Sequence, residues 1–90
     1  MMARNMQTSP VQAEGVVVTP LRLEDGNTGL FAYFKAAFVD IDECDCLAFG
    51  ALGVEMIDTL KECDKITVSG ALYCDSNDRK SLYIFDIEKT

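Results

Sequence analysis

The stretch 46-CLAFGALGVEMIDTL-60 changes its period in mid-course. Up to Phe49 the residues alternate, Cys46 and Ala48 against Leu47 and Phe49, as along a strand whose two faces differ. Beyond Gly50 the apolar residues Leu52, Met56 and Leu60 recur every fourth position, with Gly53 and Ile57 beside them and Glu55, Asp58 and Thr59 turned away. That is the stripe of a helix with one face on a core. A strand therefore hands over to a helix at Gly50, which can serve as the N-cap, and the helix should end near Cys63-Asp64. Two roles are open to Phe49 at this junction. It can pack, or it can be a platform on which a flat ligand stacks.

Working outward, residues 43–49 form the strand before the helix, with Cys44, Cys46 and Ala48 on a small-residue face and Glu43, Asp45, Leu47 and Phe49 on the other. The acidic link Asp40-Ile41-Asp42-Glu43 joins it to 30-LFAYFKAAFVDID-42. There Leu30, Ala32, Phe34, Ala36 and Phe38 share a core face, while Phe31, Tyr33, Lys35 and Ala37 make an aromatic and basic outer one. Further back, 15-GVVVTPLRL-23 reads as one strand with Pro20 at an edge or bulge. Asp25-Gly26-Asn27 with Gly29 signals a hairpin turn. After the helix, 65-KITVSGALYC-74 alternates, 75-DSNDRK-80 is a turn or loop, and 81-SLYIFDIEK-89 is the last strand. The order β-β-β-α-β-β in so short a chain implies an all-β fold with one helix, a five-stranded OB-fold barrel plugged by that helix.

Ninety residues make one domain. The polar, aperiodic stretch 1–14 with Pro10 reads as a flexible tail and 15–90 as the barrel domain. A domain of this size buries only about 60% of its unfolded surface, so its thin core favours self-association. No apolar run approaches the ~20 residues of a membrane helix. The start MMARNMQTSPVQAE has no signal-peptide apolar segment, so a cytoplasmic location is expected. Cys44, Cys46, Cys63 and Cys74 are then reduced thiols, read as small buried apolar groups. Zinc is the alternative that Cys44-Asp45-Cys46 suggests, but the chain has no histidine and no C-x-x-C pair. No metal or other cofactor is expected. Nor is an enzyme, for there is no serine nucleophile motif and no phosphate loop, and acids such as Asp40 and Asp42 sit in a link between strands.

The net charge of −7 repels phosphates over about a Debye length, ~8 Å at physiological salt. Nucleic-acid binders usually have the opposite balance.

The pattern F-G-A-L over 49–52 followed by Leu60-Lys61, then I-T-V-S-G-A-L over 66–72, resembles the bacterial-type single-stranded DNA-binding protein family. Upstream, 15-GVVVTPLRL-23 and 32-AYFKAA-37 resemble the first two strands of that family, so the likeness covers most of 15–88. It implies an OB-fold that binds single-stranded DNA without sequence preference in replication, repair or recombination. Phe49 matches the aromatic on which a base stacks. Tyr33, Lys35 and Tyr73 fall on the groove face, with Phe31 as a further ring and Lys65, Arg79 and Lys80 as phosphate contacts. Gly50 and Gly70 match structural positions. A homodimer or homotetramer is implied too, pairing through the first strand or the sheet face.

This chain departs from the family at Ala51, where lysine is common, and at Glu43 and Asp45, where aromatic and basic residues are favoured. It also has Cys63 in a turn that usually carries glycine. A left-handed cysteine costs ~1–2 kcal/mol, so that turn is expected to be rebuilt. Binding should be weak, salt-sensitive or dependent on assembly. The alternative reading, favoured by the acidic balance with Glu43 and Asp45, is a protein-interaction module that has lost DNA binding and whose aromatic face meets another subunit or protein; the acidic face is a further candidate contact for another protein.

Overall fold

The computed structural model describes residues 7–27, 29–74 and 76–90. Six strands and one helix follow in the order β1 (Gln7–Val17), β2 (Arg22–Gly26), β3 (Gly29–Phe38), β4 (Asp42–Phe49), α1 (Gly50–Thr59), β5 (Lys65–Cys74) and β6 (Lys80–Lys89). The sheet runs β1-β5-β6-β4-β3, and β3 returns to β1 through Gly15↔Phe38, Val16↔Ala37 and Val17↔Ala36. These five strands close a barrel, with β2 added outside on β3. Where β1 meets β3 the backbones come so close that a Cβ on Gly15 would run into the Ala37 carbonyl.

The alternation expected along β3 and β4 is observed. Ala32, Phe34, Ala36 and Phe38 are buried, as are Cys44, Cys46 and Ala48. Val17, Ile66, Val68, Leu82 and Ile84 complete the barrel core, and Met56 of the helix and Leu60, which caps its C-terminus, reach it. α1 has no side-chain cap, no acid in its first turn and no base in its last. A helix of ten residues so poorly capped depends on packing its stripe against the sheet.

Four expectations about the elements and their ends change. First, the strand expected from Gly15 begins at Gln7 and pairs with β5 from Gln7↔Cys74 to Val16↔Lys65. Residues 7–14 of the expected tail are therefore ladder; residues 1–6 lie outside the described residues. Pro10 does not prevent this. The Glu14 carbonyl turns away from β5 to accept from the Val39 N–H at 3.0 Å. By two-residue alternation Pro10 also points its nitrogen to that outer edge, where a missing N–H breaks no bond to β5.

Second, the single strand expected over 15–23 is two. Val18 and Thr19 both donate to the Lys35 carbonyl, at 2.8 and 3.3 Å, and Pro20 cannot continue the ladder. The chain bends and resumes as β2, paired with β3 from Arg22↔Tyr33 to Gly26↔Gly29. The β2–β3 hairpin closes at Gly26↔Gly29, where the turn was expected, with Asn27 in the turn; Thr28 lies outside the described residues.

Third, Phe49 rather than Gly50 is the N-cap, and Gly50 takes φ +67°. Only glycine adopts that conformation without strain. Fourth, α1 ends at Thr59, short of Cys63-Asp64. The Asp64 carboxylate accepts the Lys61 N–H at 2.9 Å, and this local bond competes with another helical turn. Within that turn Cys63 has φ 73°. The turn keeps the left-handed residue that the rebuilt turn was expected to avoid, held by a 2.8 Å bond from the Cys63 N–H to the Val17 carbonyl. Of the four thiols read as buried, Cys44 and Cys46 are, Cys74 is half-buried and Cys63 is exposed.

Candidate nucleic-acid interface

Outward-facing residues of four neighbouring strands line up by register. β3 and β4 pair Phe31↔Phe49, Tyr33↔Leu47 and Lys35↔Asp45. β4 runs parallel to β6 with Asp45↔Ser81 and Leu47↔Tyr83, and β5 pairs Ala71↔Tyr83 and Tyr73↔Ser81. The buried alternates Ala32, Cys46, Ala48 and Leu82 force the aromatics between them outward.

The outcome is a continuous row of rings. Phe31 and Phe49 lie 5.3 Å apart edge to face, Phe49 and Tyr83 5.8 Å apart edge to face, and Tyr83 and Tyr73 5.5 Å apart. Phe49 is 41% exposed. It packs against Phe31 and Tyr83 and still presents surface to solvent, so the packing role raised at the junction does not exclude the other. Gly70 lies where β5 slips register against β6, and a Cβ there would strike the Tyr83 carbonyl. Its lack of a side chain lets β6 approach and sets Tyr83 in the row.

Beside the rings the charges pair. The Tyr33 hydroxyl donates to Asp45 at 2.9 Å, and Arg79 lies 3.9 Å from the same carboxylate. That hydrogen bond, followed by burial, raises the Tyr33 pKa above its ordinary value. Lys35, Arg79 and Lys80 gather around one cavity of about 240 Å³, which also takes in Glu43 and Asp45. Beneath the face the Cys46 thiol is pushed well up by its contact with Cys44 and by burial, so it stays protonated. Among the described residues no three His, Cys, Asp or Glu side chains converge as a metal site, and no helix is long and apolar enough to cross a membrane.

Phe49, Tyr33, Lys35, Tyr73, Arg79 and Lys80 are thus on or beside one face. Lys65 is not brought to it. It opens β5, eight residues from Tyr73 or ~26 Å along the strand, and borders a different cavity with Glu14, Val39 and Thr90. Two residues were missed. Tyr83 alternates with Leu82 and Ile84, which marks it as outward, but its place in the row depends on the parallel β4–β6 pairing. Arg22 lies over the Tyr33 ring at 5.4 Å, a contact made only because the chain breaks at Pro20.

A closed five-strand barrel with its helix between the third and fourth barrel strands, and an aromatic outer face, is an OB-fold. The solved structures it is similar to are narrower in kind. The small single-stranded DNA-binding protein of Streptomyces coelicolor superposes with a TM-score of 0.85 at 17% identity, over 93% of this chain and 94% of that one. The second single-stranded DNA-binding protein of Mycobacterium smegmatis gives 0.79 at 15%, over 92% and 89%. A mitochondrial single-stranded DNA-binding protein of S. cerevisiae gives 0.77 at 10%, over 92% and 94%. At these identities the likeness is one of fold. No family model and no curated protein matches the sequence.

Proposed function

We propose that this chain binds single-stranded DNA without sequence preference, laying the strand across the sheet and stacking bases on the row Phe31, Phe49, Tyr83 and Tyr73. The observation that carries the reading is that row of rings across four strands, on a fold shared with proteins that bind single-stranded DNA. Stacking is worth ~1–3 kcal/mol per base and every base has a face to offer. Attraction to the phosphate backbone is the weaker part. Arg22, Lys35, Arg79 and Lys80 are the cations near the face, and four phosphate contacts at ~0.7 each give a salt slope of about −3. The role is binding, not catalysis, in DNA replication, repair or recombination in the cytoplasm. From Gln7 to Ala13, among the described residues, β1 pairs on one side only, with β5, and its outer edge suits a second copy of the chain in a homodimer or homotetramer.

The test is intrinsic fluorescence. All three tyrosines, Tyr33, Tyr73 and Tyr83, are on or beside the proposed face, and there is no tryptophan. Titration with oligo-dT should quench the signal at low salt and less at moderate salt, and Phe49→Ala should weaken binding. An unquenched signal at both salt concentrations would remove the reading.

A further inference from the structure

We propose that the hollow between the Thr19-Pro20 bend and Tyr33 is a subsite for one nucleotide unit of the bound strand, its phosphate held by Arg22 and Lys35. This rests on the single-strand-binding reading above and extends the path of the strand beyond the row of rings. The hollow has a volume of about 280 Å³ and is lined by Thr19, Pro20, Arg22, Tyr33 and Lys35. That is close to the lower end of the ~300–1,000 Å³ usual for small-ligand sites.

The lining has the chemistry of a nucleotide. The Pro20 ring, the Tyr33 ring and the stems of the two basic side chains give apolar walls for a base, and the two cations suit a phosphate. The lining carries no carboxylate, unlike the neighbouring cavity, where Lys35, Arg79 and Lys80 share space with Asp42, Glu43, Asp45 and Asp78. A phosphate is therefore better received here than there. Two acids lie beside the lining: Asp45, taken up by the Tyr33 hydroxyl and by Arg79, and Glu24, 3.4 Å from Arg22, where both side chains are exposed enough for a phosphate to take the place of the carboxylate.

The walls are held before any ligand arrives. The Lys35 N–H donates to Thr19 Oγ1 at 2.9 Å, and the Thr19 N–H donates back to the Lys35 carbonyl. Tyr33 is fixed at its hydroxyl by Asp45 and across its ring by Arg22. Groups already ordered lose little entropy on binding. The register Arg22↔Tyr33 sets the hollow on the β3 edge, one step past the Phe31–Phe49 pair.

The experiment is oligo-dT binding at several salt concentrations by the wild type, Phe49→Ala, Arg22→Gln and Lys61→Gln. Lys61 is in the turn after α1 and makes the same charge change away from the face. Arg22→Gln should bind about fivefold or more weakly at low salt, with its salt slope shallower by ~0.7, one phosphate contact; Lys61→Gln should keep the wild-type slope. Titration of labelled wild-type protein with dTMP should shift the amide resonances of Thr19, Arg22 and Tyr33. If Phe49→Ala weakens binding but Arg22→Gln keeps the wild-type slope, the subsite is wrong and the stacking face stands. If the wild type does not bind oligo-dT at all, both fall.

Discussion

The Tyr33 hydroxyl on β3 and the Asp45 carboxylate on β4 are joined by a 2.9 Å hydrogen bond. Asp45 is the acid that most argues against a phosphate-binding face. The structure spends it on Tyr33 and Arg79, so part of its charge is already answered.

Removing that carboxylate has two readable effects. The hydrogen bond to Asp45 first, then burial, holds the Tyr33 pKa above 10.0. Its contribution to stability is whole below pH 10 and is lost as the pH rises through the higher folded-state value. Asp45→Asn should bring the Tyr33 titration down, seen in the ring resonances against pH. It should also strengthen oligo-dT binding about two- to fivefold, the scale of a part-exposed charge pair at ~0.5–1 kcal/mol. Weaker binding by Asp45→Asn would mean that the carboxylate's ordering of Tyr33 and Arg79 outweighs its charge.

Tyr83 joins Phe49 to Tyr73 in the row of rings. Tyr83→Ala should cost ~1–3 kcal/mol of oligo-dT binding. Its Tm should fall only a little, because the ring is 36% exposed and makes edge or tilted contacts. Fluorescence anisotropy with labelled oligo-dT and a thermal melt separate the two. A large Tm drop with unchanged affinity would make Tyr83 a packing residue.

Cys63 holds φ 73° where glycine would be unstrained. Relief of ~1–2 kcal/mol exceeds the ~0.4–1 kcal/mol that glycine adds to the freedom of the unfolded chain. Cys63→Gly should therefore stabilise by about 0.5–1 kcal/mol in urea unfolding, since the bond from its N–H to Val17 is kept. A destabilised variant would show that the thiol contributes packing that outweighs the strain.

Asp64 is held below its ordinary 3.8 by the Lys61 N–H first, with Lys89 3.3 Å away adding to it. A depressed folded-state pKa gives stability that is present above pH 3.8 and lost as the pH falls through the lower value. Wild type should melt above Asp64→Asn at pH 7, and the gap should close in acid below pH 3.8. A gap that persists there would assign the effect to turn geometry instead of charge.

The sequence alone determined what depends on neighbours in the chain. Alternation named the core faces of β3 and β4, because side chains two apart on a strand must share a side. The four-residue stripe named the helix, and the change of period at Phe49-Gly50 located their junction. The order of elements then left the barrel as the arrangement that buries those faces. What the sequence did not reveal depends on pairing between distant segments. β1 is a strand from Gln7 because β5 offers it a ladder, and Pro10 is tolerated because its nitrogen faces the open edge. Tyr83 enters the row of rings through a parallel pairing that no local pattern encodes, and Gly70 permits that approach. Asp45, an unwelcome charge when read in line, meets Tyr33 twelve residues away and Arg79 on the far side of the helix and β5. Strand spacing, closure and the bend at Pro20 decide those meetings, and with them which residues share the proposed binding face.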